Sequence, residues 1–152
     1  MIRFRMLIPL TLAVAPAAAH ADGFAPGQWS HWTEMVSAEV PGVPQWVVKM
    51  FAGNSKRKSC FTAPQAAARP EALLTQDDAA VCKPRKFAME GGKFVYDTFC
   101  TNKRFPDGLM IASKGTYTPS SYTIATTSTG TKDGKPVKII TTGGGQRIGA
   151  CK

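Results

Sequence analysis

Residues 81–101 read VCKPRKFAMEGGKFVYDTFCT, and this stretch decides the fold. Two runs with apolar residues at alternate positions flank Gly91-Gly92. Alternation of period two sends successive side chains to opposite faces of a strand. A glycine pair between two such runs makes a tight hairpin, because glycine takes the positive φ angles the turn demands. With Gly91 and Gly92 as the turn, Met89 stands opposite Phe94 and Phe87 opposite Tyr96. The apolar pairs then share one face, and a slip of one residue would turn them all to water.

The pattern recurs on both sides of this hairpin. Gln28 to Ala38 reads as a strand with Trp29, His31, Thr33 and Met35 on one face and Trp32, Glu34 and Val36 on the other. Pro41-Gly42-Val43-Pro44 reads as a turn. Trp46 to Phe51 reads as a second strand that resumes through Lys58 to Phe61. A helix starts at Thr62-Ala63-Pro64-Gln65: Thr62 caps, Gln65 holds the capping-box position, and Pro64 is tolerated in the first turn. Pro70 ends it, with one more turn from Glu71 to Leu74. Leu109 to Tyr117 and Tyr122 to Thr127 flank a turn at Thr118-Pro119-Ser120-Ser121, and Asp133-Gly134 is a turn before Val137 to Thr142. Gly143-Gly144-Gly145 reads as a bend or bulge, and Gln146 to Cys151 as a last short strand or a strand continuation. The expectation is a mainly β chain: an antiparallel meander of about seven or eight strands, forming a barrel or half-barrel of lipocalin-like outline, with one short helical insertion near 62–75.

Arg3 and Arg5 precede an uncharged run from Met6 to Ala19, and Ala19-His20-Ala21 is a small-x-small cleavage site before Asp22. A spanning helix needs about 20 apolar residues; this run is shorter and is interrupted by Pro9 and Pro16. Residues 1–21 are therefore read as a cleaved signal peptide and 22–152 as a single domain, periplasmic or secreted by Gram-negative-type bacterial export. No transmembrane segment is expected after cleavage. Of 19 Lys and Arg, all but Arg3 and Arg5 remain against 10 acidic residues, a basic domain.

Four cysteines, Cys60, Cys82, Cys100 and Cys151, imply two disulfides in an exported domain. Their long gaps do not suit a metal site, whose paired ligands stand close in sequence. Three pairings are open to four cysteines. Cys82 and Cys100 lie near the open ends of the 81–101 hairpin, which favours Cys82–Cys100 and therefore Cys60–Cys151. The apolar register, however, sets Cys82 opposite Thr101. A three-residue loop or a bulge is needed to bring the two cysteines into line.

Several elements in order resemble the domain-of-unknown-function family DUF3617, a set of small exported bacterial proteins. They are Pro26-Gly27-Gln28-Trp29, the Pro41–Pro44 turn, Ser59-Cys60-Phe61-Thr62-Ala63-Pro64, the Cys82 to Cys100 hairpin, Gly115-Thr116-Tyr117 with Tyr122, and the closing Gln146-Arg147-Ile148-Gly149-Ala150-Cys151. The resemblance spans about residues 26–152 and implies location and an all-β fold, not an activity. Gly143-Gly144-Gly145 departs from it, where a more regular strand is expected.

Catalytic constellations are sparse. His31 is the one histidine after residue 21. It lies in a strand between Trp29 and Trp32, and there is no G-x-S-x-G elbow to supply a nucleophile. Four oxidised cysteines leave no thiolate. Glu34, Glu90, Asp97 and Asp107 are the candidates for a carboxylate-dependent hydrolase. The triglycine lacks the Lys-Ser/Thr and the helix of a phosphate loop. No catalytic residue, metal or cofactor is assigned, and no nucleic acid is expected of an exported chain.

Two binding readings remain. The first is a non-enzymatic binding protein that holds a small apolar or amphiphilic ligand inside the barrel, lined by Trp29, Trp46, Phe87, Phe94 and Tyr96. The second is an envelope protein docking to anionic lipid through a basic rim of Lys56, Arg57, Lys58, Arg85, Lys86, Lys103 and Arg104. On the meander reading these basic residues and three of the cysteines share one end of the domain.

Overall fold

A computed structural model describes residues 23–51, 55–75 and 80–152; the signal-peptide reading of residues 1–21 lies outside them. Seven strands form one antiparallel sheet: β1 (Gly27–Glu39), β2 (Ser55–Phe61), β3 (Val81–Glu90), β4 (Lys93–Asn102), β5 (Phe105–Thr118), β6 (Ser121–Lys132) and β7 (Lys135–Gly149). The order across the sheet is β2-β1-β7-β6-β5-β4-β3. β3 to β7 are a meander joined by tight turns. β1 departs from it by sitting between β2 and β7, so the two edges are β2 and β3 and the sheet does not close into a barrel.

The hairpin that opens the reading has the expected pairs, Met89 opposite Phe94 and Phe87 opposite Tyr96. The register conflict at Cys82 is resolved by a bulge. Pro84 pairs with Thr98 and Lys86 with Asp97, so Arg85 is the extra residue, and beyond it Cys82 stands opposite Cys100. Pro84 is tolerated because β3 is an edge strand with no ladder to donate to on its outer side. Asp133 and Gly134 both take positive φ, 52° and 70°, as a two-residue primed turn requires.

Two local readings are corrected. Residues 45–51 are not a strand but helix α1 (Gln45–Phe51). The Pro44 carbonyl accepts from the amides of Val47 and Val48, at 3.0 and 3.2 Å, and so opens the first turn. Within the helix Val48 is buried on one side, while Trp46 and Met50, four apart, are exposed on the other. The triglycine is neither bend nor bulge. Gly143, Gly144 and Gly145 pair in unbroken register with β1 and β6, and β7 runs straight through to Gly149. The irregularities of the β1–β7 ladder fall elsewhere, between Gln28 and Trp29 and between Met35 and Ser37.

Helix α2 (Ala63–Ala68) is capped as its sequence predicts, with Thr62 and Gln65 forming a reciprocal capping box. A 3₁₀ turn, Pro70–Leu73, follows. Because β2 and β3 are opposite edges, the chain between them must cross the sheet. It crosses the inner face: Leu73 and Leu74 are buried in one cluster with Phe24, Trp29, Phe61, Phe94, Tyr96 and Tyr122. Thr75 ties the two flanks together. Its carbonyl accepts from Arg57 Nη2 on β2 at 3.2 Å, and its hydroxyl lies 3.5 Å from that of Tyr96 on β4.

Cys60 is bonded to Cys151 and Cys82 to Cys100, with Cα–Cα separations of 5.4 and 4.1 Å. The two bridges lie at opposite ends of the sheet. Cys60 is level with Gln28 and Gly149, at the end that carries the Gly91-Gly92 and Pro119-Ser120 turns. Cys82–Cys100 is level with Leu109 and Gly130, toward the turns at 103–104 and 133–134. The expected gathering of three cysteines at one end is therefore not formed. It assumed a simple meander, and the seating of β1 between β2 and β7 reverses the placement of Cys60.

Candidate binding site

Rows of residues across the inner face divide it into a filled half and a hollow half. At the end near Cys60, large rings fill the space. Phe24 meets Trp29, Phe94, Tyr117 and Tyr122 at centroid distances of 5.6 to 6.3 Å, all edge-on. Edge-to-face packing is the favoured geometry for aromatic clusters. The Trp29 indole donates to the Ala25 carbonyl at 3.1 Å, and Arg147 Nε donates to that of Pro26 at 2.8 Å, so the segment holding Phe24 is tied down over the sheet end.

The next row inward is polar and buried. His31 Nδ1 lies 2.8 Å from the Tyr122 hydroxyl and its Nε2 lies 2.7 Å from Ser59 Oγ. Neutral imidazole has one donor and one acceptor nitrogen, and this arrangement serves both. Burial, and after it the nearby Arg57 charge, lowers the His31 pKa to about 4. The ring is neutral at neutral pH and its histidine is 2% exposed. The spacing of Ser59, His31 and Tyr122 is that of a nucleophile, base and orienting group, but none of the three lines the cavity described next. The geometry does the work of a satisfied internal hydrogen-bond chain.

Beyond these rows the inward residues become small. One row reads Tyr96, Ser113, Thr126, Thr141 and Met35 across β4, β5, β6, β7 and β1. Its neighbours place Gly143 and Ile124 on one side and Thr98, Ile111 and Ser128 on the other. Short side chains on a curled sheet cannot meet across it, and a cavity of about 210 Å³ results. Hydroxyls of Thr98, Ser113, Thr126 and Ser128 share its wall with Leu74, Leu109, Ile111 and Ile124. The Ser113 and Thr126 hydroxyls are 3.0 Å apart, so one donates to the other, which leaves the accepting hydroxyl's own O–H and further lone pairs to offer a guest. The cavity runs from Gly143, below the aromatic half, to Asn102 and Leu109 at the far end of the sheet. The Cys82–Cys100 bridge forms part of its rim.

Of the five aromatics expected to line a site, only Tyr96 does so. Trp29 and Phe94 belong to the solid core, Phe87 packs edge-on against Tyr96, and Trp46 is 64% exposed on α1. The signal missed in the sequence is the run of Ser and Thr at inward positions of β4 to β7, where a filled core would hold Val or Ile. The basic residues do not form one rim. Lys56, Arg57 and Lys58 are on the β2 edge, Arg85 and Lys86 on the β3 edge, and Lys103 and Arg104 in the β4–β5 turn. Arg57 faces inward beside His31, to which it is paired in register. Glu90 and Asp107 fall at opposite ends of the sheet, and Glu34 and Asp97 on strand positions that alternate away from the inner face. Among the described residues no group of three or more His, Cys, Asp or Glu is placed to hold a metal ion.

At the far end a second, open groove of about 520 Å³ lies between α1 and two turns. Val47 and Val48 form one wall, Lys103, Arg104, Phe105 and Lys132 the other. No helix among the described residues is long and apolar enough to cross a membrane. Two disulfides in a small β domain are consistent with a place outside the reducing cytoplasm.

Comparison with known proteins gives one result at the level of family. No curated protein and no solved structure matches the chain. The model of a protein family of unknown function, DUF3617, matches residues 24–151, from the Phe24 plug to the Cys151 bridge. The chain belongs to the DUF3617 family.

Proposed function

We propose that this protein is a non-enzymatic periplasmic binding protein for a small amphiphilic molecule, held in the hollow half of the sheet. The observation that carries this reading is the contrast between the two halves of one inner face. A domain that needed only stability would fill both with rings, as it fills one. The volume supports a small guest. A dry cavity of about 150 Å³ is enough for one benzene, and drug-sized ligands need about 300–1,000 Å³. At about 210 Å³ the space suits a single ring or a short acyl segment. Leu109, Ile111 and Ile124 would take its apolar part, and the Ser113–Thr126 pair its polar part.

The test is native mass spectrometry and solvent extraction of protein purified from periplasm, beside the variant Thr126→Leu, which fills the space from the sheet. A co-purifying small amphiphile that is lost in Thr126→Leu supports the reading. An empty parent protein, or a guest retained by the variant, overturns it.

A further inference from the structure

We propose that the end of the sheet formed by α1 and the β4–β5 and β6–β7 turns docks on an anionic lipid surface. The apolar part is on α1. Trp46 is 64% exposed and Met50 66% exposed, one helical turn apart and so on one side of the helix. Large apolar residues presented together to water mark a contact surface more often than a stability device. Tryptophan suits the boundary of a bilayer, where its ring is apolar and its N–H remains wet.

The charged part faces α1 across the open groove. Lys103 and Arg104 are exposed in the β4–β5 turn, and Lys132 and Lys135 flank the β6–β7 turn. Asp107 and Asp133 are the acids of these same turns, and the four cations outnumber them. Apolar and cationic groups side by side are the two components of peripheral attachment to anionic lipid. The opposite end of the described sheet offers only Ile148 beside Arg147, with no exposed Trp or Met. The end near Cys60 buries its rings, Arg85 and Lys86 on the β3 edge have no exposed Trp or Met beside them, and on the β2 edge Lys56 stands opposite a single half-exposed ring, Trp32, within the ladder and not at an end. The docking end is also the end to which the cavity extends, at Asn102 and Leu109. Attachment here would set the cavity toward the lipid, but docking does not depend on whether the cavity holds a guest.

The experiment is co-sedimentation with phosphatidylglycerol vesicles and with phosphatidylcholine vesicles, at low and high salt. Parent protein is expected to bind the first, bind the second much less, and lose binding as salt screens the charges. Lys103→Glu with Arg104→Glu, and separately Trp46→Ser with Met50→Ser, should each weaken binding by roughly tenfold or more. Lys56→Glu with Lys58→Glu makes the same change of charge on the β2 edge and should alter it less than about threefold. All these side chains are exposed, so the variants keep the fold, which far-ultraviolet circular dichroism checks. No binding at low salt, or equal losses in the edge and end variants, overturns the proposal. Thr126→Leu should bind vesicles as the parent does, so failure of the cavity reading and failure of docking are seen separately.

Discussion

The Tyr122 hydroxyl lies 2.8 Å from His31 Nδ1 although β7 runs between the two strands that carry them. Gly145 is the residue beneath the contact, paired with His31 on one side and with Tyr122 on the other. A Cβ at Gly145 would collide with the Tyr122 ring and stand 3.1 Å from His31 Nδ1. Alanine in place of glycine ordinarily stabilises an extended chain slightly. Here Gly145→Ala is expected to destabilise by about 1–3 kcal/mol through over-packing. The urea midpoint measures it, with the slope unchanged; a variant as stable as the parent would contradict the geometry.

The same histidine sets a pH dependence. Its pKa falls from 6.5 to about 4 on folding, so between these values the unfolded chain binds a proton that the native protein does not. Stability contributed by His31 is therefore complete above pH 6.5 and is lost as the pH falls through the window toward 4. The slope is at most about 1.4 kcal/mol per pH unit. Carboxylates titrate over part of this range, so the comparison is with His31→Gln. The difference in stability between parent and variant should shrink on acidification from pH 7 to 4.5. A constant difference would show that His31 is not held neutral.

The two disulfides should contribute unequally. Their sequence separations are 91 and 18 residues. Loop-closure entropy gives about 4.6 kcal/mol for the first and about 3.2 kcal/mol for the second. Replacing Cys60 and Cys151 by Ser should thus lower the thermal midpoint more than replacing Cys82 and Cys100 by Ser. The reverse order would mean that the bridge at the cavity rim supports packing beyond its loop.

Phe24 closes the aromatic half by touching four rings carried on β1, β4, β5 and β6. Phe24→Ala is expected to cost about 3–5 kcal/mol and to weaken the near-ultraviolet circular dichroism of the packed rings. Loss of stability below about 1 kcal/mol would show that the neighbours collapse into the space.

What the sequence disclosed is what depends on neighbours in the chain. Turns at Gly91-Gly92 and Asp133-Gly134, and the Thr62 capping box, are local chemistry and were legible from residue type. The Arg85 bulge was half legible: the apolar register and the cysteine pairing disagreed by one residue, but nothing local said which residue would be extruded. Residues 45–51 misled because Val47-Val48 favours a strand and because burial of Val48 between exposed Trp46 and Met50 fits either element, whereas the first turn opened by the Pro44 carbonyl is helical. The placement of β1 beside β7 is a pairing across more than a hundred residues and left no local trace. The cavity was hidden for a different reason. In β6, Thr123, Thr126, Thr127 and Ser128 put polar residues on both faces, so the alternation that marks an inward side fades where the site lies.

The pairing of β1 with β7 also orders events in time. Residues 27–39 come early in the chain, yet their ladder partners are residues 138–149. Until those late residues are available, β1 can hold only β2, and a two-stranded ribbon is marginal in water. The Phe24 plug and the Cys60–Cys151 bridge wait on the same event. The hairpins of β3 to β6 can therefore form among themselves first, while β1 keeps one side unpartnered until residues 138–149 arrive to join it to them.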